Sequence, residues 1–183
     1  GIRQVAIGMH ALLANTTGDS NVAIGRGALQ ENTTADDNVA VGRQALFANT
    51  TGEDNVAIGN FALDANTTAS SNTAIGRSAL GSNTTGQNNV AVGANTLDAN
   101  TTGAFNTSLG QGSMTSNTTG AASVAVGYAA LSAATTGGQN SALGYLALQD
   151  VTTATGNTGI GYQAGKDITT GTNNTFIGNN SGI

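Results

Sequence analysis

The sequence predicts an all-β fold, a β-solenoid or parallel β-roll of eleven 17-residue repeats. Three observations support this prediction. A Gly after a short apolar triplet recurs at every seventeenth residue without insertion. The triplet alternates β-branched and small residues, as a short strand does. Gly, Thr and Asn dominate without a 3.6-residue periodicity, which disfavours helices. A fixed period of this kind is typical of coils stacked around one continuous core.

Composition excludes several classes of protein. Charged residues make up 8% of the chain, and the net charge of −5 with five basic residues offers no footprint for nucleic acid or an anionic membrane surface. No stretch approaches the roughly 20 apolar residues of a membrane span. The lack of Cys excludes a disulfide or thiolate-metal scaffold. Because the register is constant, few residues are unique, and we expect no enzymatic activity, metal or cofactor.

The array forms one continuous domain over residues 1–183, with regular copies over 1–120 and divergent copies over 121–183. It begins and ends inside the repeat, so we interpret it as a segment of a longer fibre or as a processed product. We number the positions of each repeat from its first Asn, so that Asn21 is position 1 and Asp37 is position 17.

Positions 2 to 4 predict the strand, with Val22 and Ile24 on one face and Ala23 on the other. Large apolar residues recur at position 4 and, within an Ala-Leu pair, at position 9. We expect these two positions to form the core, and the residues concerned in four regular repeats are Ile24, Leu29, Val41, Leu46, Ile58, Leu63, Ile75 and Leu80.

The Gly at position 5 is present in all eleven copies, which indicates a corner with positive φ or a site too crowded for a Cβ. An Ala at this position is therefore expected to break the coil. The corner residues are Gly8, Gly25, Gly42, Gly59, Gly76, Gly93, Gly110, Gly127, Gly144, Gly161 and Gly178.

Two polar positions also predict ladders along the stack. The position-1 Asn recurs in nine copies, and stacked amides can bond to one another along the axis. The two Thr of Asn-Thr-Thr predict a second short strand. The Asn and second Thr would then share a Thr/Asn face, a candidate array for ice or another ordered surface, made of Asn32, Thr34, Asn49, Thr51, Asn66 and Thr68.

Neighbouring strands lie about 4.8 Å apart, so eleven coils would make a rod about 50 Å long. Each coil offers only about three sizeable apolar side chains, and so thin a core favours association. Several chains side by side would turn outward apolar positions into a shared interior.

The residue after the corner Gly changes along the array, from Arg26, Arg43 and Arg77 in early copies to Tyr in late ones. An aromatic ladder on an exposed edge suits contact with a sugar or a neighbouring subunit. Simple cover of apolar surface is the alternative. The candidate contact ladder is Tyr128, Tyr145 and Tyr162.

Two further patterns have simpler explanations than a functional site. Seven Asn-Thr-Thr copies, from Asn15 to Asn117, match the N-glycosylation sequon, and the repeat itself accounts for them. The acidic turns, which contain Asp36, Asp37, Glu53 and Asp54, lack the Gly-Gly-x-Gly-x-Asp pattern of calcium-binding rolls, so solvated turns are expected.

The stretches "NVAIGRGAL", "NTAIGRSAL" and "NSALGYLAL" resemble the head repeats of trimeric autotransporter adhesins. They are still more similar to arrays in phage tail fibres and related bacterial surface fibres. The resemblance covers essentially the whole chain and implies a homotrimeric parallel β-roll or intertwined fibre, extracellular or on a virion. The repeat of the adhesin heads is shorter than seventeen residues.

We therefore expect a structural fibre protein, the stalk or adhesive head of a trimeric surface or phage fibre that mediates attachment. Its partners would be further copies of itself and a cell-surface glycan or protein receptor. Two alternatives are a single-chain solenoid that binds ice or another ordered surface, and a subunit of a head-to-tail extracellular filament.

Overall fold

A computed structural model describes residues 2–182. Each repeat contributes one three-residue strand, and the strands pair in parallel in chain order into one sheet. Val22 pairs with Val39, seventeen residues later, and this register continues throughout. Coil n is the coil that contains strand βn. The strands are β1 (Val5–Ile7), β2 (Val22–Ile24), β3 (Val39–Val41), β4 (Val56–Ile58), β5 (Thr73–Ile75), β6 (Val90–Val92), β7 (Thr107–Leu109), β8 (Val124–Val126), β9 (Ser141–Leu143), β10 (Thr158–Ile160) and β11 (Thr175–Ile177).

Backbone hydrogen bonds also join consecutive coils outside the strands. The amide of Leu46 donates to the carbonyl of Ala62 at 2.9 Å, and the amide of Thr50 donates to that of Thr67 at 2.9 Å. The turns are therefore stacked as regularly as the strands. The predicted parallel β-solenoid is confirmed.

The core contains the small side chains of the strands and the Leu of position 9. Ala23 and Leu29 are fully buried, as are Leu46, Leu63 and Leu80 in the following coils. The predicted alternation is confirmed, but the position-4 part of the predicted core is wrong. Ile58 and Ile75 are 39% and 37% exposed. The other two predicted members, Ile24 and Val41, are only half-buried, on the same outward face.

The narrowness of the coil explains this reversal. A Cβ built on Gly159, at position 3, would lie 2.7 Å from Cγ of Leu148 and 2.9 Å from the carbonyl oxygen of Ala164. Leu148 comes from position 9, so the inward Leu side chains already fill the space behind the strands. In coils 2 to 6 position 3 holds a fully buried Ala, and no branched side chain fits there, so those at positions 2 and 4 must face outward.

Position 3 of the last coil holds the largest exception, Phe176. Its ring packs against the core at the point where Gly165 and Gly182 replace the Leu of position 9. A Cβ on Gly165 would lie 2.6 Å from Cδ2 of Phe176. The ring therefore occupies the volume that Leu fills in the regular coils.

The corner Gly residues need both of the properties expected of them. All eleven have φ between 122° and 143°. A Cβ on Gly93 would also lie 2.7 Å from the carbonyl oxygen of Gly110 in the next coil. Because L-residues rarely adopt this φ and consecutive coils are in backbone contact, both strain and crowding exclude a side chain at the first ten corners. At Gly178, in the last coil, nothing lies within 4 Å of the Cβ position, and strain alone applies.

The position-1 Asn residues form the predicted ladder in the interior of the coil, directly before each strand. Oδ1 of Asn38 accepts from the backbone amide of Asn55 at 3.0 Å and from its Nδ2 at 3.1 Å. Nδ2 of Asn55 also donates to the carbonyl of Ala69 at 2.9 Å. Ser123 interrupts the series, and its Oγ accepts from the amide of Asn140 at 3.2 Å. Each buried amide is thus satisfied by the adjacent coil and by the position-15 carbonyl of its own coil.

The Asn of Asn-Thr-Thr forms a second buried ladder. Nδ2 of Asn49 donates to Oδ1 of Asn32 at 3.2 Å and to the carbonyl of Gly52, in its own turn, at 2.9 Å. This inward amide closes a bend, so the predicted second strand at the two Thr residues is wrong.

The predicted Thr/Asn face is wrong for the same reason. Its Asn members, Asn32, Asn49 and Asn66, are fully buried. Its Thr members, Thr34, Thr51 and Thr68, are exposed and remain as a single row. The preceding Thr33 is half-buried, and its hydroxyl donates to the carbonyl of Thr50 at 3.1 Å.

Candidate interaction surface

The main candidate surface is the outer sheet face, which consists of positions 2 and 4 of all eleven coils. It is continuous because every strand pairs in register with the next. Large apolar side chains remain open to solvent along it. Val124 is 43% exposed, Leu143 51% and Ile160 40%.

The sheet spacing gives the size of this face. Ten intervals of about 4.8 Å make it about 50 Å long, and three residues per strand make it about 10 Å wide, so it covers about 500 Å². Its apolar part is smaller than this outline, because position 2 holds Thr or Ser in five of the eleven coils. An exposed apolar patch of a few hundred Å² commonly marks an interaction site.

Two edges run along the outer sheet face, one on each side. The turn edge consists of positions 16 and 17, which precede each strand. The corner edge consists of position 6, which follows the corner Gly. In the early coils the turn edge carries Asp37, Glu53 and Asp54, all exposed, and the corner edge carries Arg26, Arg43 and Arg77, also exposed.

Further along the corner edge, the three predicted Tyr residues form a ladder. The ring centroids of Tyr128 and Tyr145 are 5.3 Å apart at 14°, and those of Tyr145 and Tyr162 are 5.4 Å apart at 5°. The residues are between 45% and 49% exposed. Stacking covers the inner ring faces, so the ladder presents ring edges and hydroxyls. This geometry suits packing against another surface better than stacking on successive sugar rings.

An acidic pair lies at position 10, and the repeat pattern alone does not predict it. Asp64 and Asp98 occupy position 10 two coils apart, with Gly81 between them. A Cβ on Gly81 would lie 2.7 Å from Oδ1 of Asp98 and 3.4 Å from Oδ1 of Asp64. Burial raises the pKa of both carboxyls, and the negative charge of Asp98 raises the pKa of Asp64 further. Arg77 opposes the increase at Asp98. The only signal in the sequence is the Asp-Gly-Asp order at seventeen-residue spacing.

A buried hydroxyl cluster was also missed. Thr96 and Ser113, at position 8, and Ser108, at position 3, replace Ala residues of the core. Oγ1 of Thr96 lies 2.8 Å from Oγ of both Ser108 and Ser113, and the two Ser hydroxyls are 2.6 Å apart. Carbonyls of Gly110 and Ser113 accept their remaining bonds. The cluster satisfies itself and is structural in character.

The acidic turns and the glycosylation sequons do not form functional sites in the described part of the chain. Within residues 2–182, no group of three or more His, Cys, Asp or Glu side chains is placed to hold a metal ion. Six of the seven sequon Asn side chains, from Asn32 to Asn117, are fully buried, so the folded coils leave no room for a glycan on them.

Comparison with protein-family models, with curated proteins and with solved structures finds no match to this chain. In the described part of the chain, no helix is long and apolar enough to cross a membrane.

Proposed function

We propose that the chain is a structural fibre segment, the stalk or adhesive head of a trimeric surface or phage fibre, in which three copies pack through their outer sheet faces. The observation that carries the proposal is the apolar character of this face along the rod. Other outward positions carry Thr, Asn, Gln, Ser or charged residues in most coils. The location outside the cell or on a virion, attachment to a receptor, and the absence of catalysis are parts of the same proposal.

The free energy of covering the outer sheet face supports association. If it were apolar throughout and covered completely, an area of about 500 Å² at about 25 cal/mol per Å² would correspond to at most about 12 kcal/mol per chain. Association costs on the order of 4 to 15 kcal/mol in lost freedom. The outer sheet face can therefore supply a driving force of the same size as this cost.

The ice-binding alternative is weakened by the buried Asn residues. A row of single Thr hydroxyls remains on that side of the coil, from Thr17 to Thr170. The neighbouring Thr hydroxyls are occupied by carbonyls of the next coil, as for Thr50 with Thr67 at 3.0 Å. One row does not make the two-dimensional array that the alternative needs, so the fibre is favoured.

A charge-insertion experiment tests the proposal. The face variant combines Ile58→Lys, Ile75→Lys and Leu109→Lys. Its matched control combines Thr68→Lys, Thr85→Lys and Thr119→Lys, which add the same charge to the exposed Thr row of the same three coils. Light scattering should give the 17.9 kDa mass of a monomer for the face variant and about three times that mass for the control. Equal masses for the two variants would refute packing through the outer sheet face.

A further inference from the structure

A small cavity opens on the corner side of coils 1 to 3, where Gly27 leaves position 7 of the repeat without a side chain. The same position holds His10 in the coil before and Gln44 in the coil after. The volume of this cavity, the Gly27 notch, is about 140 Å³. Since a cavity of roughly 150 Å³ holds one benzene ring, one six-membered ring can enter it. The side chains around it are those of Met9, His10, Arg26, Gln30, Gln44 and Phe47.

Three groups converge on the empty Cβ position of Gly27. Oε1 of Gln30 lies 3.4 Å from it, and Cγ of Gln44 and Cδ2 of Phe47 each lie 3.5 Å from it. Nε2 of Gln30 donates to Oε1 of Glu31 at 2.9 Å, so Gln30 turns its acceptor oxygen toward the notch. The notch therefore combines one oriented acceptor with the apolar edge of a half-buried ring.

Arg26 supplies a positive charge at the rim of the notch. Its side chain is exposed, and within residues 2–182 it forms no ion pair and no ring contact. The next Arg of the corner edge, Arg43, differs, because its guanidinium lies 4.4 Å from the ring centroid of Phe61. Of the described residues that line the notch, none is acidic. Arg26 can therefore meet an anion, and Arg pairs with a carboxylate through two parallel hydrogen bonds.

A missing side chain at position 7 does not by itself bring these groups together. Gly112 occupies the same position of coil 7, with φ 66° against 70° at Gly27. Nothing lies within 4 Å of its Cβ position, and Gln111 stands where Arg26 stands in coil 2. The combination of charge, acceptor and ring is therefore specific to the Gly27 notch.

The three groups select different parts of one ligand. The guanidinium of Arg26 favours a carboxylate, Oε1 of Gln30 accepts from a hydroxyl or N–H group, and the ring of Phe47 packs against C–H groups. A sugar that carries a carboxylate presents all three around one six-membered ring. A neutral sugar lacks the charge. An acidic protein side chain lacks the hydroxyl donor and the ring, so it would leave the Gln30 oxygen unmatched.

We propose that the Gly27 notch binds a carboxylate-bearing sugar unit of a cell-surface glycan. The inference rests on the proposed function and deepens it, because it assigns the chemistry of the receptor to which the fibre attaches. None of the notch residues belongs to the outer sheet face, so packing of copies through that face does not use the notch. An assembly has one notch per chain, and several weak sites act together on a surface that carries many glycans.

Calorimetric titration of the full chain with small sugars tests the proposal. The carboxylated probes are D-glucuronate, D-galacturonate and N-acetylneuraminate, and the neutral probes are D-glucose and D-galactose. N-acetyl-L-glutamate provides a carboxylate without a sugar ring. At least one carboxylated sugar should bind with a dissociation constant on the order of 1 mM, which is typical of so small a ligand. The neutral sugars and N-acetyl-L-glutamate should bind at least about tenfold more weakly.

Two pairs of variants locate the site. Arg26→Gln removes the guanidinium at the notch, and its control, Arg77→Gln, removes the same charge from the same position of coil 5. Gly27→Gln fills the notch with the side chain that Gln44 carries at this position at φ 56°, and its control is Gly112→Gln. Circular dichroism confirms that each variant retains the solenoid. Arg26→Gln and Gly27→Gln should weaken binding at least about tenfold, and the two controls should bind as the unaltered chain does.

Absence of binding to every probe would overturn the proposal, as would equal affinity for glucuronate and glucose or equal losses in Arg26→Gln and Arg77→Gln. Tighter binding of N-acetyl-L-glutamate than of any sugar would also overturn it and indicate an acidic protein partner. Sedimentation equilibrium of the unaltered chain without sugar measures the proposed trimer separately. A trimer that binds no probe would leave the fibre intact, whereas a monomer that binds a carboxylated sugar at the notch would refute the trimer and support the site.

Discussion

Oδ1 of Asn117 is buried and has no hydrogen-bond partner in the described chain, because the next coil places Ala134 where all seven earlier coils have an Asn. Asn117 still donates through Nδ2 to Asn100 at 2.9 Å and to the carbonyl of Gly120 at 3.0 Å. The position-12 ladder therefore ends with one unsatisfied acceptor. A substitution at this end shortens the ladder, whereas a substitution in the middle breaks it, and comparing the two measures the cost of the break.

Asn83→Ala should destabilise the chain by about 1 to 3 kcal/mol more than Asn117→Ala. The first change interrupts the ladder, because Asn83 donates to Asn66 at 3.1 Å and accepts from Asn100 at 2.8 Å. The second removes the acceptor that is already unsatisfied. Urea unfolding of the two variants measures the difference, and equal losses would show that the ladder contributes little.

Gly93→Ala should destabilise the chain by more than about 3 kcal/mol, since the new methyl group combines an unfavourable φ with a backbone clash. Gly112→Ala is the control. Gly112 has φ 66°, nothing lies within 4 Å of its Cβ position, and Ala129 adopts φ 51° at the same position of the next coil. The control should lose only about 1 to 2 kcal/mol, the cost of the left-handed conformation alone. Similar thermal midpoints for both variants would contradict the close approach of the coils.

The free energy of unfolding should depend on pH through Asp64 and Asp98. Because the pKa of each carboxyl in the folded chain is raised above 3.8, the ordinary value for Asp, the folded state binds protons more readily than the unfolded state. Their contribution therefore becomes more favourable as pH falls through the raised pKa values toward 3.8, and is least favourable at neutral pH. Asp64→Asn combined with Asp98→Asn should raise stability at pH 7 and remove this part of the pH dependence. Identical curves of stability against pH for both chains would contradict the burial of the pair.

Phe176→Ala should lower stability by about 2 kcal/mol, because it leaves the space beside Gly165 and Gly182 unfilled. Adding Gly165→Leu and Gly182→Leu restores the arrangement of the regular coils and should recover most of the loss. Gly165→Leu alone should be destabilising, since its Cβ would lie 2.7 Å from Cδ2 of Leu148 as well as close to the Phe176 ring. A triple variant less stable than Phe176→Ala would show that the two Gly residues serve another purpose.

The sequence predicted the parts of the fold that depend on period. The seventeen-residue spacing of Gly25 and Gly42 is sufficient to predict stacked coils, and the recurrence of Asn38 and Asn55 to predict the amide ladder. The alternation of Val22, Ala23 and Ile24 predicts two faces. It does not predict which face is inward, because size alone favours Val and Ile in the core. The position-9 Leu occupies that space, and this is a property of the closed coil.

The backbone conformation of the turns could not be predicted from the sequence either. Leu29 and Leu46 have φ 49° and 51°, although bulky residues rarely adopt positive φ. The conformational preferences of single residues therefore do not predict these turns. The two Thr residues were assigned to a strand from β propensity, whereas the inward Asn32 side chain closes a bend there by donating to the carbonyl of Ala35 at 3.1 Å. The Tyr ladder was predictable, since its members share one position of the repeat.

The native molar mass of the 183-residue chain, measured by sedimentation equilibrium at several concentrations, tests the central proposal most directly. Association of three copies through their outer sheet faces should give about three times 17.9 kDa, with no further growth as concentration rises. A mass of 17.9 kDa at every concentration would contradict it and leave the apolar face exposed in the native protein. Mass that grows without limit would contradict a closed trimer and indicate an open filament.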